Sequence, residues 1–209
     1  MNKIVLASSN PGKLLEFQNA FLDTNLDFIS QKTLGIMDAE ETAHTFLENA
    51  LLKARHAASI SGLPALSDDS GVCVHALHGA PGVYSARYAG TGKSEDNNQK
   101  LLQALQNHSN RSAYYCCVLV LIQSETDPNP LVFQGLWQGE ILTESRGTSG
   151  FGYDPLFYIP ALQKSAAELT LTEKNQFSHR AQAIKKLLEF FKETPYHMPY
   201  NNSHARMLP

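Results

Sequence analysis

The chain has few of the residues that mark several common protein classes. It has only three cysteines in 209 residues, Cys73, Cys116 and Cys117, and no Cys-x-x-Cys or Cys/His spacing of the kind that binds zinc. All three fall in strand-like stretches, so we expect buried, reduced thiols, which favours a cytoplasmic protein. The longest apolar runs, such as "CCVLVLI" at 116–122, are far shorter than the roughly 20 residues of a membrane span.

The chain also lacks an excess of charge of either sign. It has 17 lysines and arginines against 20 aspartates and glutamates, a formal net charge of −3. This balance gives no general attraction to nucleic acid or to an anionic membrane, so neither is an expected partner. A bound polyanion would need a local cluster of cations. The N-terminus has only the short apolar run 4–7 before polar residues, so no signal peptide is predicted.

What is present is the composition of an ordinary globular protein, 43% hydrophobic and without repeats or low-complexity tracts. A chain of this length forms one large domain or two small lobes and buries roughly 70% of its unfolded surface. We place the domain at residues 1–194. Residues 195–209 contain three prolines and no periodicity, so we expect a loose tail there.

Apolar residues alternate between strand and helix periods along the chain. They predict, in order, a strand over 3–8, a helix over 11–22, a strand over 26–30, a long helix capped by Thr45 and Glu48, two short strands interrupted by Asp-Asp-Ser-Gly within 63–77, a helix over 94–107, a hairpin of two long strands within 112–142 and a last helix from near Ser178. Strands alternate with helices at first and a hairpin follows. An α/β fold with a mixed sheet is therefore expected.

Small polar residues join the first strand to the first helix: Ser8, Ser9, Asn10, Pro11, Gly12 and Lys13. Such a junction often binds an anion, because the first amides of a helix lack intrahelical acceptors and carry partial positive charge. It is not a P-loop, since Leu14 follows Lys13 where that motif has Ser or Thr. An ordinary N-cap by Asn10, with Pro11 at the first helical position, explains the same residues. Both interpretations stay open.

Asp68 and Asp69 stand side by side in "SDDSG", at the expected end of a strand. Adjacent carboxylates repel one another and are costly to desolvate unless a cation shares them. Mg2+ suits such a place, because it takes one or two carboxylates and completes its shell with water and substrate phosphates. A polar turn is the alternative. A serine nucleophile is disfavoured, since Gly-x-Ser-x-Gly is missing.

An acidic segment with Glu40 and Glu41 precedes the long helix. Acidic residues ahead of a helix also favour the helix dipole, so a solvated first turn is an alternative to a functional role. Lys53 lies on that helix, on the same face as Asn49 and away from the apolar stripe. A surface lysine is the default interpretation there.

A cationic pair, His179 and Arg180, falls in the first turn of the last helix, downstream of Lys174. Positive charge there opposes the helix dipole. Residues placed against a local preference are often functional, although a nearby carboxylate explains this pair equally well.

Two aromatics flank a glycine before an acid in the stretch Phe151, Gly152, Tyr153 and Asp154. Aromatic rings can stack on a nucleic acid base, and the carboxylate can accept a hydrogen bond from it. A glycine turn ending in Asp-Pro accounts for the same residues.

Six stretches together resemble one known family, in order and spacing, over about residues 1–192. They are "ASSNPGK", "AEET…TFLENALLKARHAA", "LSDDSG", "GAPGVYSARYAG", "GTSGFGYDPLF" and "AAELT…EKNQFSHRAQA". The resemblance is to the inosine/xanthosine triphosphate pyrophosphatase family. It implies hydrolysis of deaminated purine nucleoside triphosphates to the monophosphate and pyrophosphate, with Mg2+. It also implies an α/β fold in which helices flank a mixed, elongated sheet, two lobes around a central active-site cleft, and a homodimer.

The resemblance further implies roles for single residues. Asp69 would bind the metal and accept a proton from the attacking water, and Asp68 would support the metal's water shell. Glu40 would be the second carboxylate at the metal, with Glu41 as the alternative. Lys13 and Lys53 would neutralise the negative charge of the phosphates. The nucleoside pocket would consist of Ser70, Phe151, Gly152, Tyr153, Asp154, Lys174, His179 and Arg180.

The phosphates would lie against residues 8–13, where the family commonly has glycine at the position of Ser9. At the base, His179 and Arg180 are donors that suit the 6-keto acceptor of hypoxanthine or xanthine, whereas adenine presents a donor there. Two rival functions are a pyrophosphatase for modified pyrimidine nucleotides and a non-catalytic nucleotide- or RNA-binding module. The paired carboxylates disfavour the module, because a sensor need not place acids beside phosphate.

Overall fold

A seven-stranded sheet forms the centre of the computed structural model, which describes residues 3–21 and 26–193. Its strands are β1 (Lys3–Ala7), β2 (Asp27–Ser30), β3 (Ala65–Val74), β4 (Ser112–Ile122), β5 (Leu131–Ile141), β6 (Phe157–Ile159) and β7 (Lys164–Ser165). They are ordered β2-β1-β3-β4-β5-β6-β7 across the sheet. Parallel pairing joins β1 to β2 and to β3, and the pairs from β3 through β7 are antiparallel. The predicted mixed sheet is confirmed.

Helices cover both faces of this sheet. They are α1 (Pro11–Phe21), α2 (Phe46–Ser61), α3 (Ser94–Ala104), α4 (Leu171–Phe177) and α5 (His179–Glu193). One face packs against α1 and α5 through residues such as Phe17 and Leu187, and the other packs against the alanines of α2. No helix in the described ranges is long and apolar enough to cross a membrane.

The four predicted helices are present as α1, α2, α3 and α5, with shifted ends. Thr45 caps α2 by accepting a hydrogen bond from the Glu48 amide, as the sequence indicates. The short helix α4 was not predicted, although Thr170 and Glu173 form a capping box at its start. The end of the first predicted helix and the expected tail 195–209 lie outside the described residues, so the domain boundary at 194 stays a prediction.

The Asp-Asp-Ser-Gly stretch does not interrupt a strand, and the prediction of two short strands was wrong. β3 runs unbroken from Ala65 to Val74 and pairs with the apolar strand β4 along its whole length, with Asp69 opposite Val118. The partner strand therefore continues the backbone ladder through the polar residues. Their side chains obtain partners of their own from the helices on either face.

The two central strands differ in length, and this difference creates the functional edge of the sheet. β1 pairs with β3 only as far as Ala7 opposite Ser67, whereas β3 continues to Val74. The residues that follow Asp68, from Asp69 to Gly71, therefore border open space where β1 has ended. The chain leaving β1 enters α1 at this same place. Ligands commonly bind beyond the carboxyl ends of parallel strands in this way.

Candidate active site

A cleft of about 710 Å³ opens beyond the end of β1. Its walls are the β1–α1 junction, β3, the acidic segment at 38–41, the loop at 146–155, called here the glycine-rich loop, and the start of α5. Two predicted site residues, Asp68 and Glu40, are not part of its lining. The predicted residues that do line it are Ser8, Ser9, Asn10, Pro11, Gly12, Lys13, Lys53, Asp69, Ser70, Phe151, Gly152, Tyr153, Asp154, Lys174, His179 and Arg180.

The β1–α1 junction caps its helix and borders the cleft at once. The Asn10 side chain accepts hydrogen bonds from the Gly12 amide at 2.9 Å and from the Lys13 amide at 3.2 Å. The N-cap interpretation is therefore confirmed, and Pro11 begins α1. Because the cap uses these two amides, the Lys13 ammonium is the main positive charge of the junction. Ser9 donates to Asp38, which ties the junction to the acidic segment.

The adjacent aspartates point to opposite faces of β3, because successive side chains alternate along a strand. Asp68 faces α1 and pairs with Lys13, with 2.9 Å between Nζ and Oδ2. Asp69 faces α2 and pairs with Lys53, with 3.2 Å between Nζ and Oδ1. The expectation that both carboxylates share one cation at a strand end was wrong. Each has its own lysine in the middle of a strand.

Asp68 is a fixed buried anion. It is fully buried, and the Arg180 guanidinium donates to it from Nε at 3.3 Å and from Nη2 at 3.2 Å. Burial alone would raise the pKa of Asp68, but Lys13, Arg180 and Lys53 outweigh it and hold the pKa well below its usual range. The carboxylate therefore stays charged and anchors Lys13 and Arg180 from behind the cleft wall.

Asp69 has the features of a proton acceptor and of a metal ligand. Burial raises the pKa of its carboxyl, an effect that Lys53 and Lys13 only partly offset. Its Oδ2 is buried and has no hydrogen-bond partner in the described part of the chain. An unpaired buried carboxylate oxygen is costly, and a cation is one way to satisfy it.

Glu41, and not Glu40, joins Asp69 at the cleft. Lys53 Nζ lies 2.6 Å from Glu41 Oε1, and Arg87 Nη1 donates to Glu41 Oε2 at 3.0 Å. Glu40 is exposed. The helical spacing suggested a surface lysine at position 53, and this interpretation was wrong, since only 13% of the Lys53 side chain is exposed. Burial lowers the pKa of Lys53, but Asp69, Asp68 and Glu41 more than reverse this, so it stays charged.

These carboxylates suit Mg2+ better than a softer metal. The described residues contain no cluster of three or more His, Cys, Asp or Glu side chains that could enclose an ion. Mg2+ does not need such a cluster, because one or two carboxylates, water and substrate phosphates complete its shell. Glu41 and the unpaired oxygen of Asp69 supply oxygen ligands of this kind around one lysine.

A buried glutamate of α1, which the sequence analysis missed, connects the base-side residues. Glu16 accepts from Arg180 Nη1, and its Oε1 lies 3.3 Å from Lys174 Nζ. Burial would raise the pKa of Glu16, but Arg180 and Lys174 together hold it below its ordinary value. Two carboxylates, Glu16 and Asp68, therefore offset the charge of Arg180 at the start of α5. The alternative that a nearby carboxylate explains the misplaced cations is confirmed.

His179 does not add a second charge to that helix start. Its ring is buried, and burial, Arg180 and Lys174 keep its pKa well below the usual value. The description of residues 179 and 180 as a cationic pair was therefore wrong. The neutral ring stacks on Tyr115, with 4.6 Å between centroids and 5° between planes.

The glycine-rich loop closes the cleft over the β1–α1 junction. Asp154 accepts from the Phe151 amide at 2.9 Å and from Lys174 Nζ at 2.8 Å, so it fixes the loop. A Cβ at Gly12 would stand 2.7 Å from the Phe151 ring, which explains glycine at this close approach. Tyr153 is buried and donates to the Ser85 carbonyl at 2.9 Å. Phe151 is thus the exposed aromatic of the loop.

The comparisons with known proteins agree with this geometry. A model of the Ham1 family matches residues 4–190. The chain belongs to the Ham1 family. A relative from Yersinia pseudotuberculosis named dITP/XTP pyrophosphatase is 56% identical over 196 residues, covering 92% of this chain and 100% of the relative. A relative of the same name from Nitrosomonas europaea is 51% identical over 194 residues, with coverages of 92% and 96%.

Solved structures of the Ham1 family share the fold. The Ham1 protein of Coxiella burnetii has a TM-score of 0.88 and 50% identity, covering 93% of this chain and 100% of the other. The Ham1 protein of Staphylococcus aureus has a TM-score of 0.82 and 43% identity, with coverages of 92% and 99%. The resemblance stated from the six sequence stretches is therefore confirmed.

Proposed function

We propose that this member of the Ham1 family is a hydrolase of deaminated purine nucleoside triphosphates. Its substrates are the triphosphates of inosine, deoxyinosine and xanthosine, and its products are the monophosphate and pyrophosphate. The observation that carries the proposal is the pairing of Lys53 with both Asp69 and Glu41 on one wall of a cleft whose other wall holds neutral His179. The names of the Yersinia and Nitrosomonas relatives support the same reaction.

Asp69 is assigned the proton from the attacking water. Without a bound cation, burial raises the pKa of its carboxyl above that of an ordinary aspartate, while its contact with Lys53 favours the ionised form. General bases work best when their pKa approaches the working pH. The water attacks the α-phosphate, and charge develops on its oxygens and on the leaving pyrophosphate. Lys53 and Lys13, which line the cleft, are assigned to offset that charge.

Mg2+ is the proposed cofactor, held by Asp69 and Glu41. When bound, it would polarise phosphate oxygens and neutralise charge on the leaving group. Glu41 replaces Glu40 in this role because Glu40 is exposed, outside the cleft lining. Asp68 is assigned to anchoring Lys13 and Arg180 and not to the water shell of the metal, because it is fully buried behind them.

His179 and Arg180 are assigned the 6-keto group of the base. Arg180 already donates to Asp68, Glu16 and Ser70, and within the described residues one N–H of Nη1 has no acceptor. The 6-keto oxygen of the base would accept a hydrogen bond from this N–H. The 6-amino group of adenine brings a donor to the same place and leaves the buried protein donor unpaired, at a cost of about 1–3 kcal/mol. Neutral His179 adds an uncharged polar edge beside it.

We further propose that the protein is a cytoplasmic homodimer. The three buried free cysteines suit a reducing compartment. Light scattering of the purified chain, expected to give twice the 23.1 kDa mass of one protomer, checks the dimer.

The test of the function is a substrate panel with product identification. The purified protein is incubated with Mg2+ and dITP, XTP, dATP, dGTP or dUTP, and the products are separated by ion exchange. We expect dITP and XTP to be hydrolysed with the highest kcat/KM and to give monophosphate plus pyrophosphate. A preference for pyrimidine nucleotides, release of single phosphates, or binding with no turnover contradicts the proposal.

A further inference from the structure

Tyr115 lies beneath the proposed base pocket, on β4. It is 7% exposed and stands directly opposite Trp137 on β5. Its ring is parallel to that of His179, with 4.6 Å between centroids and 5° between planes. Aromatic rings stacked in this way attract one another beyond the effect of the area they bury. The stack therefore favours one plane for the His179 ring.

Tyr115 also touches the opposite side of the pocket. Its hydroxyl is 3.4 Å from Asp154 Oδ1, a long hydrogen bond to the carboxylate that holds Lys174 and the Phe151 amide. Burial and the nearby Asp154 raise the pKa of Tyr115 well above its usual value, so the phenol stays protonated and donates. One side chain thus contacts two groups of the pocket that belong to separate elements, α5 and the glycine-rich loop.

Further rings prevent Tyr115 from moving aside. Phe157 on β6 packs on Tyr115 at 4.6 Å and 54°, and Trp137 lies 5.5 Å from Phe157 and 6.4 Å from His179. We call these four residues, Tyr115, Trp137, Phe157 and His179, the aromatic cluster. Three of its members come from neighbouring strands of the sheet, so the rigid sheet determines where the fourth, His179, presents its ring.

We infer that Tyr115 is a positioning residue for base recognition: its ring sets the plane of the His179 ring, and its long hydrogen bond to Asp154 is secondary. The inference rests on the proposed function, because it takes His179 as a residue that reads the base. Hydrogen bonds weaken steeply when their angle departs from linear. A tilted His179 ring therefore loses discrimination between a keto and an amino group, while phosphate binding and the attack at phosphorus continue.

Three substitutions test the two contacts of Tyr115. Tyr115→Leu removes the ring beneath His179, whereas Tyr115→Phe keeps the ring and removes only the long hydrogen bond to Asp154. Tyr114→Phe is the matched control, since it removes a phenol hydroxyl from the preceding residue of the same strand. Tyr114 points to the other face, where its ring lies 5.4 Å from that of His75.

Two measurements are made on each variant, well below its melting temperature. The first is calorimetric binding of dIMP and of dAMP with Mg2+, and the second is kcat and KM for dITP and dATP. For Tyr115→Leu we expect the dIMP Kd and the dITP KM to rise about tenfold, with kcat changed less than about threefold. The dITP-over-dATP ratio of kcat/KM should fall about tenfold. Tyr115→Phe should restore the ratio to within about threefold of wild type, and Tyr114→Phe should leave it unchanged.

Other outcomes overturn the inference. A folded Tyr115→Leu protein with the wild-type ratio, or with equal losses on dITP and dATP, shows that Tyr115 only packs the core. If Tyr115→Leu does not fold, Tyr115→Met is judged by the same criteria, since its flexible side chain fills space without a ring. The calorimetric binding measurement separates the proposed function from the role inferred for Tyr115. A wild type that prefers dIMP but does not hydrolyse dITP contradicts the proposed function, and the variants still test Tyr115. A wild type that binds dIMP and dAMP equally contradicts both.

Discussion

Asp68 and Asp69 are neighbours in the chain, yet their carboxylates lie on opposite faces of β3 and pair with lysines from different helices, Lys13 of α1 and Lys53 of α2. Their environments separate their pKa values, since the pKa of Asp68 is lowered and that of Asp69 is raised. Two titratable groups whose pKa values are pushed apart by their surroundings commonly divide chemical roles. We therefore expect Asp68 to remain a permanent anion, and taking up a proton is the role proposed for Asp69.

Replacement of Asp69 by asparagine should abolish most of the activity and leave the fold intact. The substitution keeps size and shape but removes the charge that accepts a proton. We expect kcat for dITP to fall about a hundredfold or more, with a melting temperature near that of wild type. Residual turnover above about a tenth of wild type, under 1.4 kcal/mol of barrier, contradicts the role.

Replacement of Asp68 by asparagine, unlike that of Asp69, should mainly lower the stability of the fold. Asp68 is fully buried between Lys13 and Arg180, so the neutral amide leaves buried Arg180 and partly buried Lys13 short of a partner. Breaking a buried ion pair in this manner typically costs 3–5 kcal/mol, and we expect about 3 kcal/mol in the free energy of unfolding by urea. Asp69→Asn is the matched control. Equal stability of the two variants contradicts the assignment of Asp68 as an anchor.

The Mg2+ dependence of the activity tests which glutamate of the acidic segment binds the metal. Glu41→Gln should raise the Mg2+ concentration for half-maximal activity about tenfold, because one of two carboxylate ligands is lost. Glu40→Gln, the control, should leave it unchanged, since Glu40 is exposed. If Glu41→Gln lowers kcat with an unchanged Mg2+ requirement, Glu41 serves only to hold Lys53.

Local signals in the sequence could predict the parts of the site that depend on local structure. Asn10 followed by Pro11 indicates a helix start, and the structure has Asn10 accepting from the Gly12 and Lys13 amides. The mixed sheet followed in the same way, from the alternation of strand and helix periods. The cap arises from interactions within a few residues, and the order of strand and helix periods indicates the fold class, so spacing in the sequence reveals both.

The ion pairs across the cleft could not be predicted in this way. Arg180 and Glu16 are separated by 164 positions, and nothing in the local pattern around Glu16 tells a surface glutamate from a buried one. The interpretation of Lys53 as a surface lysine was wrong for the same reason, since the acidic groups that cover its face of the helix come from elsewhere in the chain. Among the local signals, the position of Arg180 at the start of a helix, against the helix dipole, was the one that indicated a buried ion pair.

The last prediction concerns Glu16 and the loss of stability in acid. The pKa of Glu16 lies below its ordinary value of 4.5 in the folded chain, because Arg180 and Lys174 outweigh the effect of burial. Below pH 4.5 the unfolded chain therefore binds a proton more readily than the folded one. The stabilisation by Glu16 is fully present above that pH and is lost as the pH falls through the folded pKa.

Glu16→Gln should accordingly be less stable than wild type by about 3 kcal/mol at pH 7, the scale of a broken buried ion pair, and this gap should narrow as the pH is lowered below 4.5. Urea unfolding of both proteins at several pH values, without metal, measures the gap. The control is Glu189→Gln, whose exposed partner Lys185 lies 3.9 Å away; a surface pair of this kind contributes less than about 0.5 kcal/mol at any pH. A gap between wild type and Glu16→Gln that stays constant down to pH 3 would mean that Glu16 does not retain its charge through its contacts with Arg180 and Lys174.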